Sequence, residues 1–200
     1  MKGVLIVTEL PNIGKTASKA LRNVGITQLE QLTLVNAKAL AKLHGVGPKA
    51  IQILETALTR NKLKFSAEYA LDFEVECLVM GDLNCDNAPK RRVVLNYLLA
   101  AWLQNTEQAT RYLSSAVGLT DAGSETYFVG SEKLLTAYQT TEKIVRISFH
   151  QILSHGKEAA ADGSILFESG RQSYFAEFYQ FEGHRKEAKL LNIRRYLQEG

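Results

Sequence analysis

The chain has 200 residues, 46% hydrophobic and 22% charged, which gives apolar material for one large or two small folded domains and excludes a low-complexity disordered segment. The net charge of +3 joins two unlike parts: residues 1–65 carry ten Lys or Arg against three Glu, and the remainder carries 14 basic against 18 acidic residues. A basic module joined to an acidic partner fits nucleic-acid binding by the first part. Cys77 and Cys85 lack zinc spacing, no apolar run approaches a membrane span, and Val4–Val7 is too short for a signal sequence. The expectation is a cytoplasmic chain with reduced thiols, no metal and no cofactor.

Val4–Val7 reads as a strand, and Gly14-Lys15-Thr16 ends a phosphate loop of the G-x-x-x-x-G-K-T kind. Glu9 stands where that loop needs its first glycine, and no strand–helix alternation follows, so this reading is set aside. A duplication accounts for the segment better. Leu10-Pro11-Asn12-Ile13-Gly14-Lys15-Thr16-Ala17 aligns with Leu43-His44-Gly45-Val46-Gly47-Pro48-Lys49-Ala50. In the second copy two glycines flank one apolar residue, and Pro48 suits the first turn of a helix. In the first, Asn12 takes the place of Gly45, since Asn enters the left-handed region readily. Each copy predicts a tight hairpin whose second helix aims its free N–H groups and positive dipole end outward, a geometry for a phosphate. Helices are expected near 15–23, 27–32, 36–43 and 48–60, sharing one apolar face. Thr27 with Glu30 three residues later reads as a capping box.

These residues resemble the tandem helix-hairpin-helix family of DNA repair proteins and of the C-terminal domain of the RNA polymerase alpha subunit. The resemblance implies an all-α domain over 1–65. Backbone N–H groups near Gly14 and Gly47 would hold phosphate oxygens in turns shaped by Asn12 and Gly45. Lys15, Thr16, Lys19, Arg22 and Lys49 would add charge and hydrogen bonds. Such contacts position a protein on DNA or another nucleic acid without reading its sequence. The alternative is that the hairpins contact protein.

Residues 66–85 read as a connector. Ala88-Pro89 opens an apolar helix to about Leu103, and a short helix follows over Glu107–Leu113. Ala116–Thr120 and Thr126–Val129 are strand-like, and Glu132–Tyr138 predicts another helix. Four long strands then follow at 143–154, 157–167, 172–182 and 189–198. Helices first and adjacent strands after predict an α+β domain over 86–200 with a curved antiparallel sheet. Asp86-Asn87-Ala88-Pro89-Lys90-Arg91, Ile152-Leu153-Ser154-His155-Gly156-Lys157-Glu158-Ala159 and Tyr174-Phe175-Ala176-Glu177-Phe178-Tyr179-Gln180-Phe181 resemble the nuclear transport factor 2-like superfamily, with its SnoaL-like polyketide cyclases and ketosteroid isomerases. The resemblance implies a cone-shaped sheet around a cavity for a small apolar ligand, and dimers through the outer face of the sheet.

Strict alternation along 143–155 puts His155 on the inward face with Phe149 and Leu153, and Glu177 shares a face with Phe175 and Tyr179. His155 and Glu177 would then meet in one cavity, where a buried carboxyl with a raised pKa could move a proton beside a carbonyl. Tyr97, Trp102, Tyr112, Tyr138 and Tyr179 are candidate cavity residues. Arg194, Arg195 and His150 are candidates for the outer, dimer-forming face. The expected function is sequence-independent DNA binding joined to a dimerising or ligand-binding domain, binding rather than catalysis. The alternatives are an isomerase- or cyclase-like enzyme using His155 and Glu177, and a non-catalytic scaffold.

Overall fold

Apolar residues at three- and four-residue spacing seat the N-terminal helices on one core, as seen in the computed structural model, which describes residues 8–84 and 88–200. The strand reading of 4–7, Cys85 and the lead-in at 86–87 lie outside the described residues. α1 (Lys15–Asn23) buries Ala17 and Leu21. A 3₁₀ helix (Leu29–Leu34) buries Leu29 and Leu32, α2 (Ala37–Ala41) buries Leu40, and α3 (Pro48–Arg60) buries Ala50, Leu54 and Leu58. Each fully buried Leu contributes about 1.5–3 kcal/mol. The expected capping box at Thr27 is not formed. Gln28 is the N-cap, and Gln31 Oε1 accepts from the N–H of both Thr27 (2.8 Å) and Gln28 (3.0 Å). Glu30 is drawn away to accept from the Thr8 N–H at 3.1 Å.

The rest of the chain adds β1 (Leu78–Met80), α4 (Pro89–Trp102), α5 (Thr106–Arg111), β2 (Leu113–Asp121), β3 (Thr126–Val129), α6 (Ser131–Thr136), β4 (Ile144–His155), β5 (Glu158–Phe167), β6 (Gln172–Phe181) and β7 (Leu190–Glu199). The fold is α+β; among the described residues seven strands form one sheet in the order β1-β4-β5-β6-β7-β2-β3, with β1 and β3 at its edges. The sheet is mixed rather than wholly antiparallel as expected, because β1 beside β4 and β2 beside β7 run parallel. Register shifts in β4, in the β6–β7 pairing and in the β2–β7 pairing bend it. α4 fills its inner side. From Val94 to Trp102 every residue of α4 is buried, the condition of a helix enclosed on all sides.

One bulge decides the facing of a whole strand end. Phe149 pairs with Gly163 and Gln151 with Asp162, so His150 is the extra residue. Gly163 is required opposite it, since a Cβ there would lie 2.1 Å from the Ser148 carbonyl oxygen.

The stretch 66–77 runs with alternate residues Tyr69, Leu71, Phe73, Val75 and Cys77 packed on the α4–sheet core. Ion pairs Lys38–Glu68 (2.8 Å) and Lys42–Glu74 (3.6 Å) tie it to α2. β1, absent from the sequence reading, joins the two cores. Leu78 and Met80 belong to the core of the hairpin helices, and Val79 between them belongs to the core of the sheet. Beside β1, the buried Arg146 Nη1 donates to the Val24 carbonyl at the C-terminus of α1 (2.7 Å). Gly25 makes room for that guanidinium, for a Cβ there would stand 2.3 Å from Nη1.

Candidate functional site

Two regions gather chemistry, one open and one closed. The open one is a cleft of about 420 Å³ between the two hairpins. Asn12, Gly14, Lys15 and Thr16 line it from the first hairpin, and Gly45, Gly47 and Lys49 from the second. The two hairpins solve their turns differently. Gly45 has φ +91° in the second, but in the first the positive φ falls on Gly14 (+88°). Asn12 does not enter the left-handed region as expected. Its side chain closes the turn instead, with Oδ1 accepting from the Gly14 N–H at 3.1 Å. Gly45 also admits Thr16, whose Cγ2 would lie 2.8 Å from a Cβ at that position.

Gly14 and Gly47 are the N-caps of α1 and α3, neither helix has an acidic residue in its first turn, and a Cβ on either glycine would meet nothing within 4 Å. Both helix N-termini are therefore uncovered at their caps, although in α3 Pro48 has no N–H and the Ala50 N–H bonds the Gly47 carbonyl at 3.0 Å, which leaves that of Lys49 in the first turn. Lys15, Lys19, Arg22 and Lys49 are exposed. Lys15 and Lys49 line the cleft itself, whereas Lys19 and Arg22 stand further along α1, with Arg22 Nε on the Ser18 carbonyl.

The closed region lies between α4, α6 and the inner face of the sheet. Glu177 on β6 is fully buried, and its Oε2 accepts from the hydroxyls of Tyr138 (2.8 Å) and Tyr179 (3.0 Å). The Tyr97 hydroxyl donates to that of Tyr138 at 3.1 Å. Tyr97, Trp102 and Tyr179 stand around Tyr138 and Tyr97 in edge-to-face contacts with centroids 5.2–6.2 Å apart. Burial lifts the Glu177 carboxyl to about 7, against the pull of Arg195 and the two tyrosine hydrogen bonds. Burial likewise holds the three tyrosines well above the usual phenol range. Among the described residues, Glu177 Oε1 and Trp102 Nε1 are buried without a hydrogen-bond partner.

Arg195 and Asp121 complete this cluster, and the sequence reading missed both as inward groups. Arg195 Nε donates to Asp121 Oδ2 at 3.0 Å, and Nη1 to the Ala137 carbonyl at 2.6 Å. Burial opposes ionisation of Asp121, but hydrogen bonds from Arg195 and Ser124 win and hold its pKa below the usual carboxylate range. The sequence reading takes both Arg194 and Arg195 as candidates for the outer face. Neighbours on a strand point to opposite sides, so only Arg194 faces outward, and Arg195 joins Ile193 inside. That parity was available in the sequence.

His155 and Glu177 are not brought together. The bulge at His150 shifts the alternation by one residue, which turns Ile152 inward and leaves Leu153 and His155 exposed. His155 pairs with Glu158, which pairs in turn with the exposed Gln180, three residues past Glu177. Tyr112 is also apart from the cluster, half-buried, its hydroxyl donating to Asp72 Oδ2 at 2.7 Å. Among the described residues, no group of three or more His, Cys, Asp or Glu is placed to hold a metal ion, and no helix is long and apolar enough to cross a membrane.

No family model and no curated protein matches the chain. Solved structures do. An NTF2-like protein of unknown function from Burkholderia xenovorans LB400 aligns at 14% identity and a TM-score of 0.48, over 58% of this chain and 88% of that one. A protein with a ketosteroid isomerase-like fold from Catenulispora acidiphila aligns at 12% and 0.42, over 52% and 83%. An LEH-like epoxide hydrolase from M. tuberculosis aligns at 13% and 0.43, over 55% and 83%. These alignments cover 52–58% of this chain, and at TM-scores below 0.5 the likeness says nothing of the chemistry of either region.

Proposed function

We propose that this chain binds the sugar–phosphate backbone of DNA through the hairpin cleft, without reading base sequence. The observation that carries the reading is convergence: two helix N-termini and two exposed lysines, from segments 33 residues apart in sequence, open onto one cleft. Each N-terminus favours an anion, and together they offer adjoining sites for phosphate oxygens. The basic excess of residues 1–65 adds a field of the right sign. Fluorescence anisotropy of labelled duplex and single-stranded DNA across a salt series tests it. With four cations engaged, the log–log salt slope should be roughly −3 to −4. A Lys15→Glu/Lys49→Glu double variant should bind at least about tenfold more weakly, with a slope smaller by about 2. No binding by micromolar protein at low salt would sink the proposal.

A second reading belongs to the closed cluster, favoured by the unpartnered Glu177 Oε1. As a carboxylate, Glu177 would take a proton from a carbon beside a carbonyl; a tyrosine hydroxyl would hydrogen-bond the carbonyl oxygen, and Glu177 would return the proton elsewhere on the same molecule. Its first test needs no substrate: infrared difference spectra of the native chain and Glu177→Gln should show one carboxyl titrating near pH 7. A Glu177 carboxyl still protonated at pH 9 would remove this reading, because the step starts from the carboxylate.

A further inference from the structure

The strap between the two cores, residues 66–77, carries four carboxylates and no Lys or Arg. Its alternate residues from Tyr69 to Cys77 pack on the sheet core, and Glu68, Asp72, Glu74 and Glu76, at positions between or before them, are exposed. The strap is fastened along its length. The Ser66 N–H donates to the Val35 carbonyl at 3.0 Å, the Tyr69 hydroxyl to the Val79 carbonyl at 3.2 Å, and the Asp72 N–H to Asn96 Oδ1 of α4 at 3.0 Å. Its path is therefore set by the core, independently of its outer charges.

Opposite that acidic edge stands α2. Lys38 and Lys42 are four residues apart, on one face of the helix and about 6 Å from each other along its axis. A cleft of about 290 Å³ lies between α2 and the strap, and across it Lys38 and Lys42 pair with Glu68 and Glu74. Lys42 is the C-cap of α2, and Gly45, a wall of the hairpin cleft, follows three residues later. The two Cα atoms are thus at most about 11 Å apart, which brings Lys42 within reach of a nucleic-acid strand seated in the hairpin cleft. The four paired side chains are 64–85% exposed, and ion pairs in water hold their members loosely, so a phosphate can take either lysine.

We propose that the strap is a built-in competitor of nucleic acid: Glu68 and Glu74 occupy the two α2 lysines beside the hairpin cleft, and so limit how strongly a phosphate backbone is held there. No segment has to move, because phosphates and strap carboxylates exchange lysines as side chains. This rests on the DNA reading above, which supplies the phosphates.

The test is a mutant cycle read by fluorescence anisotropy of labelled duplex DNA across a salt series. Glu68→Gln/Glu74→Gln keeps the size of two exposed side chains and removes their charge. It should tighten binding at least about fivefold and steepen the log–log salt slope by about 1 to 2, since each freed lysine that meets a phosphate adds about 0.9. Either single substitution should give about half that change in slope, so a variant that circular dichroism shows to be misfolded leaves the other to decide. In a chain carrying Lys38→Gln/Lys42→Gln, the same two glutamate substitutions should leave the slope within about 0.5 of its value before them. A slope that Glu68→Gln/Glu74→Gln leaves unchanged, or steepening that persists without the two lysines, would overturn the competition. Either of those results, in a native chain whose binding depends on Lys15 and Lys49, removes this inference alone. A native chain that binds no duplex at low salt removes the DNA reading and the competitor with it.

Discussion

Burial takes Glu177 out of water, and a carboxyl without water holds its proton more tightly. Its folded pKa of about 7 lies above the ordinary carboxyl value of 4.5, so between those values the folded chain binds more protons than the unfolded one. Stability therefore falls as pH rises through that window, by about 3 kcal/mol in all for a shift of this size, and levels off above it. Asp121, Glu30 and Glu142 are shifted the other way, so the stability they contribute is lost only as pH falls below the ordinary carboxylate range. Thermal unfolding from pH 4.5 to 8 should show the downward slope, and Glu177→Gln should abolish it. A native profile that is flat or rising across the window would contradict the buried, protonated carboxyl. Removing one partner of the Arg195–Asp121 pair is a different case. It leaves a buried charge alone, so Asp121→Ala should cost about 3–5 kcal/mol in urea unfolding.

At the scale of elements, the bulge in β4 and Gly163 opposite it form one device. A methyl at Gly163 would overlap the Ser148 carbonyl oxygen at 2.1 Å and the Phe175 ring at 2.8 Å, and the backbone oxygen has no rotamer by which to retreat. Gly163→Ala should therefore lower stability by about 2–4 kcal/mol, which urea unfolding would measure; a change below about 0.5 kcal/mol would mean that the bulge relaxes freely. The same device explains what the sequence could and could not show. α1 and α3 were legible to the residue, because Ala17–Leu21 and Ala50–Leu54–Leu58 repeat at helical spacing and Gly14, Gly47 and Pro48 mark the starts. The inward face of β6 was legible for the same kind of reason, since Phe175, Glu177, Tyr179 and Phe181 alternate without interruption. The position of His155 was not, because a bulge leaves no mark in a pattern of apolar residues beyond the small residue it demands across the strand pair. β1 escaped because three residues buried on both faces have no period to detect. The cluster around Glu177 was half legible: its tyrosines were named singly, but their meeting with Arg195 and Asp121 depends on pairing of β2 with β7, which joins residues 74 positions apart.

For the whole molecule, the outer face of the sheet and the joint between the two cores each make a prediction. Tyr127, Leu153, Tyr174, Phe178 and Tyr196 are exposed there at 45–62%, with Phe178 and Tyr196 edge to face and Arg194 paired beside Phe178. An apolar row of this kind is covered most simply by its own copy. Sedimentation equilibrium should find a dimer that Phe178→Asp weakens at least about tenfold, and a native monomer at 100 μM would refute self-association. Two clefts on one dimer would then bind a single duplex more tightly than one. The joint bears on whether the parts respond together. Met80 is 3% exposed within the hairpin core, yet its strand is hydrogen-bonded to β4 of the sheet. Arg146 makes the reverse connection, rooted in β4 and bonded to the end of α1. Neither core can be exposed without opening the other at this seam, so urea should unfold the chain in one transition. Trp102 fluorescence reports the sheet core, and far-UV circular dichroism reports the helices of both cores. The two midpoints should coincide in the native chain. Met80→Ala, which leaves a cavity in the hairpin core at a cost of about 2–5 kcal/mol, should move both together. A Trp102 midpoint unmoved by Met80→Ala would show two independent domains.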